Sequence, residues 1–547
     1  MADSDESTPL LLSSTAGETH NYKRFGIAAS VMLSGVALLL TSNNNAPSST
    51  VNKAKQQSIK QSSSFPDNFI WGAATSAYQI EGGSSAGGRG PSIWDVWCKQ
   101  SPNNCNSENA NVTDDHFHHW QEDIELMHNM GLKAYRFSIS WSRILPTGKA
   151  EGTESGDHRY SMTKGINYEG VEFYNRIIDA LIAKGIEPFV TFYHWDLPQD
   201  LQDEYGGWES TQVIEDFAKY ARICFQFFGD RVKYFITINE AWSVAIGGYE
   251  GGQKAPGIVS EEQGGTGKPY LIAHHLLLAH ARAVNIFREE GYENWYFHGG
   301  SNTTGKIGIS HSGDYRFPVS RNSTADRKAA TRAMEFQIGW LTDPLWFGTY
   351  PKSMQQILGK RLPTFTKQEI KLLKGSADFI GLNHYSSMMA AFPTVPPNYS
   401  GYWSDQYVTL SDDPSWSKTD MGWNIVPDGA REMLLWLDKR YKHPLIFVTE
   451  NGMAAYEPDL EHSLQDTSRR DYLEGYIRGF GQALSQDVNL GGYFAWSLMD
   501  NFEWEYGFSK RFGLVHVNYT TLVRTPKLSA DWYRSTIESN GANISMD

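Results

Sequence analysis

Eight short runs of β-branched and aromatic residues recur along the chain from Phe65 onward, and segments with helical periodicity separate them. Strands that alternate with helices predict parallel βαβ units, and eight such units close into a barrel. The sequence therefore predicts an α/β fold with a single (β/α)₈ TIM barrel. The eight runs are FIWGAATSAYQ (69–79), AYRFSISW (134–141), EPFVTFYHW (187–195), YFITINE (234–240), KIGISHS (306–312), FIGLNHY (379–385), PLIFVTEN (444–451) and GGYFAWS (491–497).

The segments between the runs contain apolar stripes at helical spacing, which predict helices that pack one face on the sheet. Two such stripes are Val171, Tyr174, Ile178 and Leu181, and Ile214, Phe217, Ala221, Cys224 and Phe228. Gly131, Gly185 and Gly229 follow helical segments, where a glycine in the left-handed conformation commonly ends a helix. We expect these glycines to turn the chain toward the next strand.

Polar and aromatic residues gather where the runs end, and in a barrel these ends share one face. Glycoside hydrolysis needs two carboxyl groups, one on each side of the scissile bond. Glu240 and Glu450 close the fourth and seventh runs. They are therefore candidates for this pair, at a separation of roughly 5 Å if the enzyme is retaining. A glutamate at a strand end is more often a rim ion pair, so position alone does not assign the reaction.

Six motifs in this order resemble the family 1 glycoside hydrolases, and the resemblance runs from about Phe65 to about Ser539. It implies a β-glucosidase-like retaining O-glycosidase that releases a terminal β-D-glucosyl, galactosyl or fucosyl residue by double displacement. A transglycosidase with an alcohol acceptor and a catalytically silent sugar-binding barrel are the alternatives. The motifs are FIWGAATSAYQIEG (69–82), YRFSISWSRILP (135–146), TFYHWDLPQ (191–199), TINE (237–240), VTENG (448–452) and WSLMDNFEWEYGFSKRFGL (496–514).

The resemblance also implies a role for each matching residue. Glu240 would be the general acid/base and Glu450 the nucleophile, while Arg136 and Tyr385 would contact the nucleophile and keep it ionised. A second carboxylate nearby is expected to raise the pKa of Glu240. The implied sugar-binding residues are Gln79, His194, Asn239, Tyr385, Trp496 as the stacking platform, Glu503 and Trp504.

Several individual residues bear on which branch of the family the chain resembles and on the shape of its site. Ala241 stands where the family usually has proline, and we expect it to loosen the following loop. A glutamate at 240 disfavours thioglucosidases, which usually have glutamine there, and Glu503 disfavours enzymes for phosphorylated sugars, since a carboxylate repels a phosphate. Trp416 and Trp423 are expected either to line the leaving-group side or to pack within a lid.

No metal and no cofactor are expected. The tract DDHFHHWQED (114–123) contains His116, His118 and His119, but neighbouring residues on a helix do not present a tetrahedral ligand set. The resemblance matches Asp115 and His118 to a structural motif instead.

The first 64 residues differ from the rest of the chain. We predict a polar tail (1–24), an uncharged apolar signal anchor or cleaved signal peptide (25–41), a flexible linker (42–64) and the barrel domain (65–540). A signal anchor would give a single-pass type II membrane protein. Glu6 followed by Leu10 and Leu11 resembles a sorting signal of vacuolar and lysosomal membranes. Six glycosylation sequons, which begin at Asn111, Asn302, Asn322, Asn398, Asn518 and Asn543, suit a lumenal or extracellular domain.

Charge and cysteine content limit the partners and the compartment. The formal net charge of -14 would repel nucleic acid, so a small ligand is expected. The family resemblance implies that this partner is a small-molecule β-glycoside. Cys98 and Cys105 are spaced to close one short disulfide, or stay reduced if the protein is cytosolic. Cys224 is left over, and we expect it to be buried.

Overall fold

The computed structural model of the protein describes residues 65–152, 162–260, 268–296, 304–395 and 401–546. The predicted tail, apolar segment and linker (1–64) lie outside these described residues. Within the described ranges, no helix combines the length and apolar character needed to cross a membrane.

Eight parallel strands form a closed barrel, as predicted, and the first strand pairs with the second and with the last. The strands are β1 (Ile70–Ala74), β2 (Ala134–Ser138), β3 (Glu187–Tyr193), β4 (Tyr234–Asn239), β5 (Lys306–Ser312), β6 (Ile380–Asn383), β7 (Ile446–Asn451) and β8 (Leu490–Trp496). The carboxyl ends of all eight therefore open on one face.

A helix follows each strand and packs outside the barrel. The helices are α1 (His116–Asn129), α2 (Tyr168–Ala183), α3 (Gln212–Phe228), α4 (Lys268–Glu289), α5 (Thr324–Met334), α6 (Pro427–Tyr441), α7 (Thr467–Leu484) and α8 (Leu528–Glu538). The predicted apolar stripes of α2 and α3 are buried, apart from Ile214, which is half-buried. α5 continues through the π-helical turn Glu335–Gly339 into the helix Trp340–Phe347.

The loops between the barrel strands and helices contain shorter elements. A three-stranded sheet consists of Tyr315–Pro318, Ser387–Ala391 and Thr409–Ser411, and one two-stranded sheet consists of Val515–Val517 and Arg524–Pro526. A second pairs Glu151–Gly152 with Met162–Lys164. Short helices include Ala77–Ile80, Ile93–Gln100, Trp141–Ile144, Gln199–Tyr205, Ala241–Ser243, Lys352–Leu358, Lys367–Leu373, Tyr402–Asp405 and Leu460–Leu464.

Two of the three predicted helix-ending glycines are left-handed. Gly131 and Gly185 have φ values of +73° and +72°, which only glycine adopts at little cost. The prediction for Gly229 is wrong, because its φ is -66° and its N–H donates to Phe225 O at 2.9 Å. Gly229 therefore continues the helical hydrogen bonding, and the chain turns after it.

The barrel interior is filled by aromatic rings. Phe189 stacks on Tyr234 with ring centroids 4.2 Å apart, and it packs edge-on against Phe494 at 4.7 Å and Phe447 at 5.3 Å. Layers of large side chains make a barrel of this size a packed core. These rings form the floor beneath the open face.

Candidate active site

The carboxyl ends of the strands enclose a cavity of about 440 Å³. The polar residues singled out in the sequence converge there from strands that are hundreds of residues apart. Those that line the cavity are His194, Asn239, Glu240, Tyr385, Glu450, Trp496, Glu503 and Trp504. Arg136 and Gln79 lie one layer behind it, fully buried.

Glu450 lies near the end of β7 between a cation and a phenol. Arg136 Nη1 donates to its Oε1 at 2.5 Å, and the Tyr385 hydroxyl donates to its Oε2 at 2.7 Å. Burial raises the pKa of Glu450, while Arg136 and Tyr385 oppose that rise by stabilising the carboxylate. Arg136 is on β2, so the ion pair joins two strands that are not neighbours in the barrel.

Glu240 follows β4 directly and has a different environment. Asn383 Nδ2 donates to its Oε1 at 2.8 Å and the Ser243 hydroxyl to its Oε2 at 2.5 Å, but no cation contacts it among the described residues. Burial, followed by the charge of Glu450, raises the pKa of Glu240 to about 7. The two carboxyl groups therefore have different environments: Glu450 contacts a guanidinium, whereas Glu240 contacts an amide and a hydroxyl and has its pKa raised to about 7.

His194 and Asn239 form the neighbouring wall. Asn239 Nδ2 donates to His194 Nε2 at 3.0 Å, and Asn239 Oδ1 accepts from Arg136 Nη2 at 2.7 Å. Burial holds the pKa of His194 well below its usual range. The imidazole is therefore neutral, and the asparagine is fixed in one orientation by its hydrogen bonds to His194, Arg136 and Asn383.

Gln79 and Glu503 meet at the opposite side of the cavity. Gln79 Nε2 donates to Asn501 Oδ1 at 2.9 Å, to Phe502 O at 3.0 Å and to Glu503 Oε2 at 3.4 Å. Burial raises the pKa of Glu503 to about 8, and the ammonium of Lys254 opposes the rise. Trp504 follows, with its ring centroid 4.5 Å from that of Trp195.

Three residues of the cavity other than glycine are left-handed. The φ values are +76° at Trp195, +50° at Glu240 and +48° at Trp504. Such conformations cost about 1–3 kcal/mol each and occur where the surrounding structure enforces a side-chain direction. Here they turn an indole or a carboxyl group inward immediately after a strand or within a tight loop.

The histidine tract does not form a metal site. His116 Nδ1 bonds Asp123 at 2.7 Å, His118 Nδ1 bonds Asp115 at 2.6 Å and His119 Nδ1 bonds Glu122 at 3.3 Å. Each ring thus already contacts a carboxylate, and these histidines are not among the residues of the described ranges whose ligand atoms converge.

A second cluster, Glu457, Asp500 and His516, brings its ligand atoms within 4.8 Å of one another. Lys527 Nζ lies 2.8 Å from both carboxylates, and Arg511 lies 2.6 Å from Asp500. These cations already neutralise the acidic groups. The cluster is therefore a buried ion network.

Several cavity residues escaped the sequence analysis. Asn383 ends β6, and the change from apolar to polar residues at the end of the sixth run could have identified it. Ser243 does not lie at the end of a run, so no such change marks it. Lys254, Trp242 and Trp403 also line the cavity. Of the two uncertain tryptophans, Trp423 lines the cavity, whereas Trp416 packs on Phe317 with centroids 5.9 Å apart.

The cysteines and Ala241 were the subject of two other local predictions. Cys98 and Cys105 form a disulfide with an S–S distance of 2.08 Å, and Cys224 is free and buried. Ala241 begins the buried helix Ala241–Ser243. Ala241 itself is buried, and the loosening of the following loop stays a prediction.

Comparison with known proteins identifies the family. The model of glycosyl hydrolase family 1 matches residues 61–542. The chain belongs to this family. It is 42% identical over 516 residues to raucaffricine-O-β-D-glucosidase of Rauvolfia serpentina, covering 87% of this chain and 92% of that protein. It is 44% identical over 491 residues to an isoflavonoid 7-O-β-apiosyl-glucoside β-glycosidase of Dalbergia nigrescens, covering 86% and 85%.

Solved structures agree with this membership. A rice β-glucosidase, a mutant in a covalent complex with Glc, has a TM-score of 0.79 at 40% identity and covers 86% of this chain and 98% of its own. A β-glucosidase of Thermotoga maritima in complex with deoxynojirimycin has a TM-score of 0.76 at 39% identity, covering 87% and 99%. The family 1 chain is thus a glycosyl hydrolase of the β-glucosidase type.

Proposed function

We propose that this glycosidase is retaining, with Glu450 as nucleophile and Glu240 as general acid/base, and that it releases a terminal β-D-glucosyl residue. The observation that carries the proposal is the unequal environment of the two carboxyl groups. Arg136 and Tyr385 stabilise an ionised Glu450, while the pKa of Glu240 is raised to about 7. The rice enzyme captured in a covalent complex with Glc supports a covalent intermediate.

In the first step, the Glu450 carboxylate would attack the anomeric carbon while the glycosidic C–O bond breaks. The proton of Glu240 passes to the departing oxygen, and a glucosyl ester of Glu450 forms. Loss of the negative charge on Glu450 lowers the pKa of Glu240, which then accepts a proton from water. The water oxygen attacks the same carbon and frees Glu450, so that two inversions leave the β configuration.

The sugar would lie between His194, Asn239, Glu503 and Trp504, with Trp496 beneath its ring and Gln79 fixing Glu503. The leaving group would extend toward Trp423, Trp242 and Trp403. Incubating the purified protein with p-nitrophenyl β-D-glucoside, with and without added methanol, tests the proposal. Release of nitrophenolate and glucose supports a hydrolase. Methyl glucoside as the main product indicates a transglycosidase, and no release indicates a silent sugar-binding barrel.

The pH profile of kcat/KM should fall above about pH 7. Glu240 must be protonated to act as an acid, and its pKa of about 7 sets the pH above which the active form is lost.

The Ser243 hydroxyl stabilises the ionised form of Glu240. Ser243→Ala should therefore raise the pKa and move the basic limb to higher pH. Ser386→Ala is the matched control, because Ser386 lines the cavity and donates to Asn424 O. An unmoved limb in Ser243→Ala would contradict this role of Glu240.

We also propose that residues 25–41 anchor the protein as a type II membrane protein with its barrel in the lumen of a vacuole-like compartment or outside the cell. The disulfide suits an oxidising compartment. The sequon residues Asn111, Asn322, Asn518 and Asn543 are exposed, as glycosylation requires. The bounds of the apolar segment (25–41) and of the flexible linker (42–64) belong to the same proposal.

Deletion of residues 1–60 should leave a soluble enzyme with unchanged kcat/KM, because the family match begins at residue 61 and, among the described residues, none that lines the cavity precedes His194. The full-length chain should stay in the membrane pellet after carbonate extraction. Sequencing the mature N-terminus provides the counter-test. A start near Asn43 would show a cleaved signal peptide, and an inactive, aggregated product of the deletion would contradict the independence of the barrel.

A further inference from the structure

Residues 503–509 reverse the chain direction around the short 3₁₀ helix Trp504–Tyr506. We term this segment the hairpin, and it carries Glu503 and Trp504. The N–H of Glu503 donates to Gly507 O at 2.7 Å, and the N–H of Tyr506 donates to Glu503 O at 2.8 Å. Trp504 is left-handed within it. A short irregular segment needs support from outside to hold a side chain within about 0.5 Å of a binding geometry.

One part of that support is aromatic. The indole of Trp504 packs on that of Trp94 with centroids 4.6 Å apart, and it stacks on Tyr78 at 5.9 Å. Trp94 belongs to the helix Ile93–Gln100, which also carries Cys98. The first half of the hairpin thus rests on the helix from which the disulfide starts.

The other part comes from residues 98–108, which we term the support loop and which comprise the loop 98–105 closed by the disulfide and the three residues that follow it. Asn106 Nδ2 donates to Tyr506 O at 2.8 Å and to Ser509 Oγ at 3.1 Å. Glu108 Oε2 accepts from the N–H of Phe508 at 2.6 Å. The second half of the hairpin is therefore held by two side chains of the support loop.

The fit between loop and hairpin leaves no room for a side chain at Gly507. A Cβ there would lie 2.0 Å from Glu108 Oε2 and 2.8 Å from Cys105 O, and the φ of Gly507 is +56°. The hairpin backbone thus passes the support loop at van der Waals distance. A displacement of the loop must be transmitted to residues 503–509.

The support loop has an unfavourable backbone. Cys105, Asn106 and Ser107 are consecutive and have φ values of +53°, +53° and +62°. L-residues adopt this region singly and at a cost, so three in a row require an external constraint. The disulfide from Cys98 to Cys105 supplies a covalent one, and the bonds of Asn106 and Glu108 supply the others.

We infer that the support loop is a positioning element of the sugar site: its disulfide holds Asn106 and Glu108 so that they fix the hairpin and aim Glu503 and Trp504 at the sugar. The inference rests on the proposed function, since it assigns the purpose of the loop to sugar binding. Asn106 and Glu108 are positioning residues, because they act through the hairpin.

A double-mutant cycle tests the inference. The double variant Asn106→Ala/Glu108→Ala should lower kcat/KM for p-nitrophenyl β-D-glucoside about tenfold, mainly through KM, because the hydrogen bonds that fix the hairpin are lost and Glu503 is then less well placed to bind the sugar. In a Glu503→Ala background, the same two changes should lower kcat/KM less than about twofold. When Glu108→Gln takes the place of Glu108→Ala, it should restore the activity that this residue supports, since the glutamine amide oxygen still accepts from the N–H of Phe508. Asn103→Ala is the control, because Asn103 is exposed in the same loop and should change nothing.

Cys98→Ser/Cys105→Ser should produce the same KM effect and the same dependence on Glu503. If that variant fails to fold, the Asn106 and Glu108 variants still decide, because both side chains lie at the surface or half-buried. Equal losses in both backgrounds, no loss at all, or failure of Glu108→Gln to rescue would overturn the inference. An unaltered protein that releases no nitrophenolate would instead overturn the proposed function.

Discussion

Glu450→Gly is expected to abolish turnover of β-glucosides, with kcat falling by about 10⁶-fold, a loss comparable with removal of the nucleophile from a serine protease. Without the Glu450 carboxylate no covalent glucosyl intermediate can form. Arg136 would also lose the partner that it holds at 2.5 Å. Release of dinitrophenolate from 2,4-dinitrophenyl β-D-glucoside measures the loss, and circular dichroism shows whether the variant is folded.

Azide gives this prediction a stereochemical test. The space left by the Glu450 side chain lies on the α face of the bound sugar, so azide should displace dinitrophenolate there in a single inversion. The product is α-glucosyl azide, recognised by its anomeric coupling in proton NMR. Glu450→Gln is the matched control, because it removes the nucleophile but fills the space. β-Glucosyl azide from Glu450→Gly would show that Glu450 is not the nucleophile.

The barrel could be predicted because its strands correspond to recognisable runs of β-branched and aromatic residues in the sequence. Runs such as KIGISHS (306–312) coincide with a strand, Lys306–Ser312, since both faces of a parallel barrel strand are buried and apolar. Glu240 and Glu450 could be placed on one face because a closed barrel brings its strand ends together. Their distinct environments follow from Arg136 and Tyr385, which the family resemblance had paired with Glu450.

Other features depend on contacts that no local pattern encodes. Gln79 closes the first run, yet it lies on the helix Ala77–Ile80 after β1, because β1 ends at Ala74. Gly229 was expected to be left-handed, but the helix bond to Phe225 O keeps it right-handed. Trp416 and Trp423 belong to the same segment, and only the folded loop shows which of them reaches the cavity.

The hydrogen bonds around Glu240 illustrate the same limit. Asn383 is separated from Glu240 by 143 positions, and its amide reaches the carboxyl group only because β4 and β6 are brought close in the closed barrel. The pKa of about 7 follows from burial and from Glu450, which are properties of the assembled site. Sequence could assign the residue type, whereas its proton affinity required the fold.

Glu240→Ala is expected to lower kcat/KM by about 10²- to 10⁴-fold for glucosides with poor leaving groups, the usual contribution of general acid catalysis. Formation of the glucosyl ester from 2,4-dinitrophenyl β-D-glucoside should be largely spared, because dinitrophenolate departs without a proton. Hydrolysis of the ester then becomes slow, since no base activates water. A pre-steady-state burst of dinitrophenolate, followed by slow turnover, would report both effects.

Azide should accelerate this variant, because it needs no general base to attack the glucosyl ester of Glu450. The attack comes from the β face, so the product should be β-glucosyl azide, opposite to that from Glu450→Gly. The fall of kcat/KM above about pH 7 should also disappear, because the group whose pKa is raised to about 7 is gone. Asn383→Ala keeps Glu240 and should keep that limb, moved to higher pH because the Asn383 amide stabilises the ionised form of Glu240. An α product from Glu240→Ala, or a basic limb that persists in it, would mean that the roles of the two glutamates are reversed.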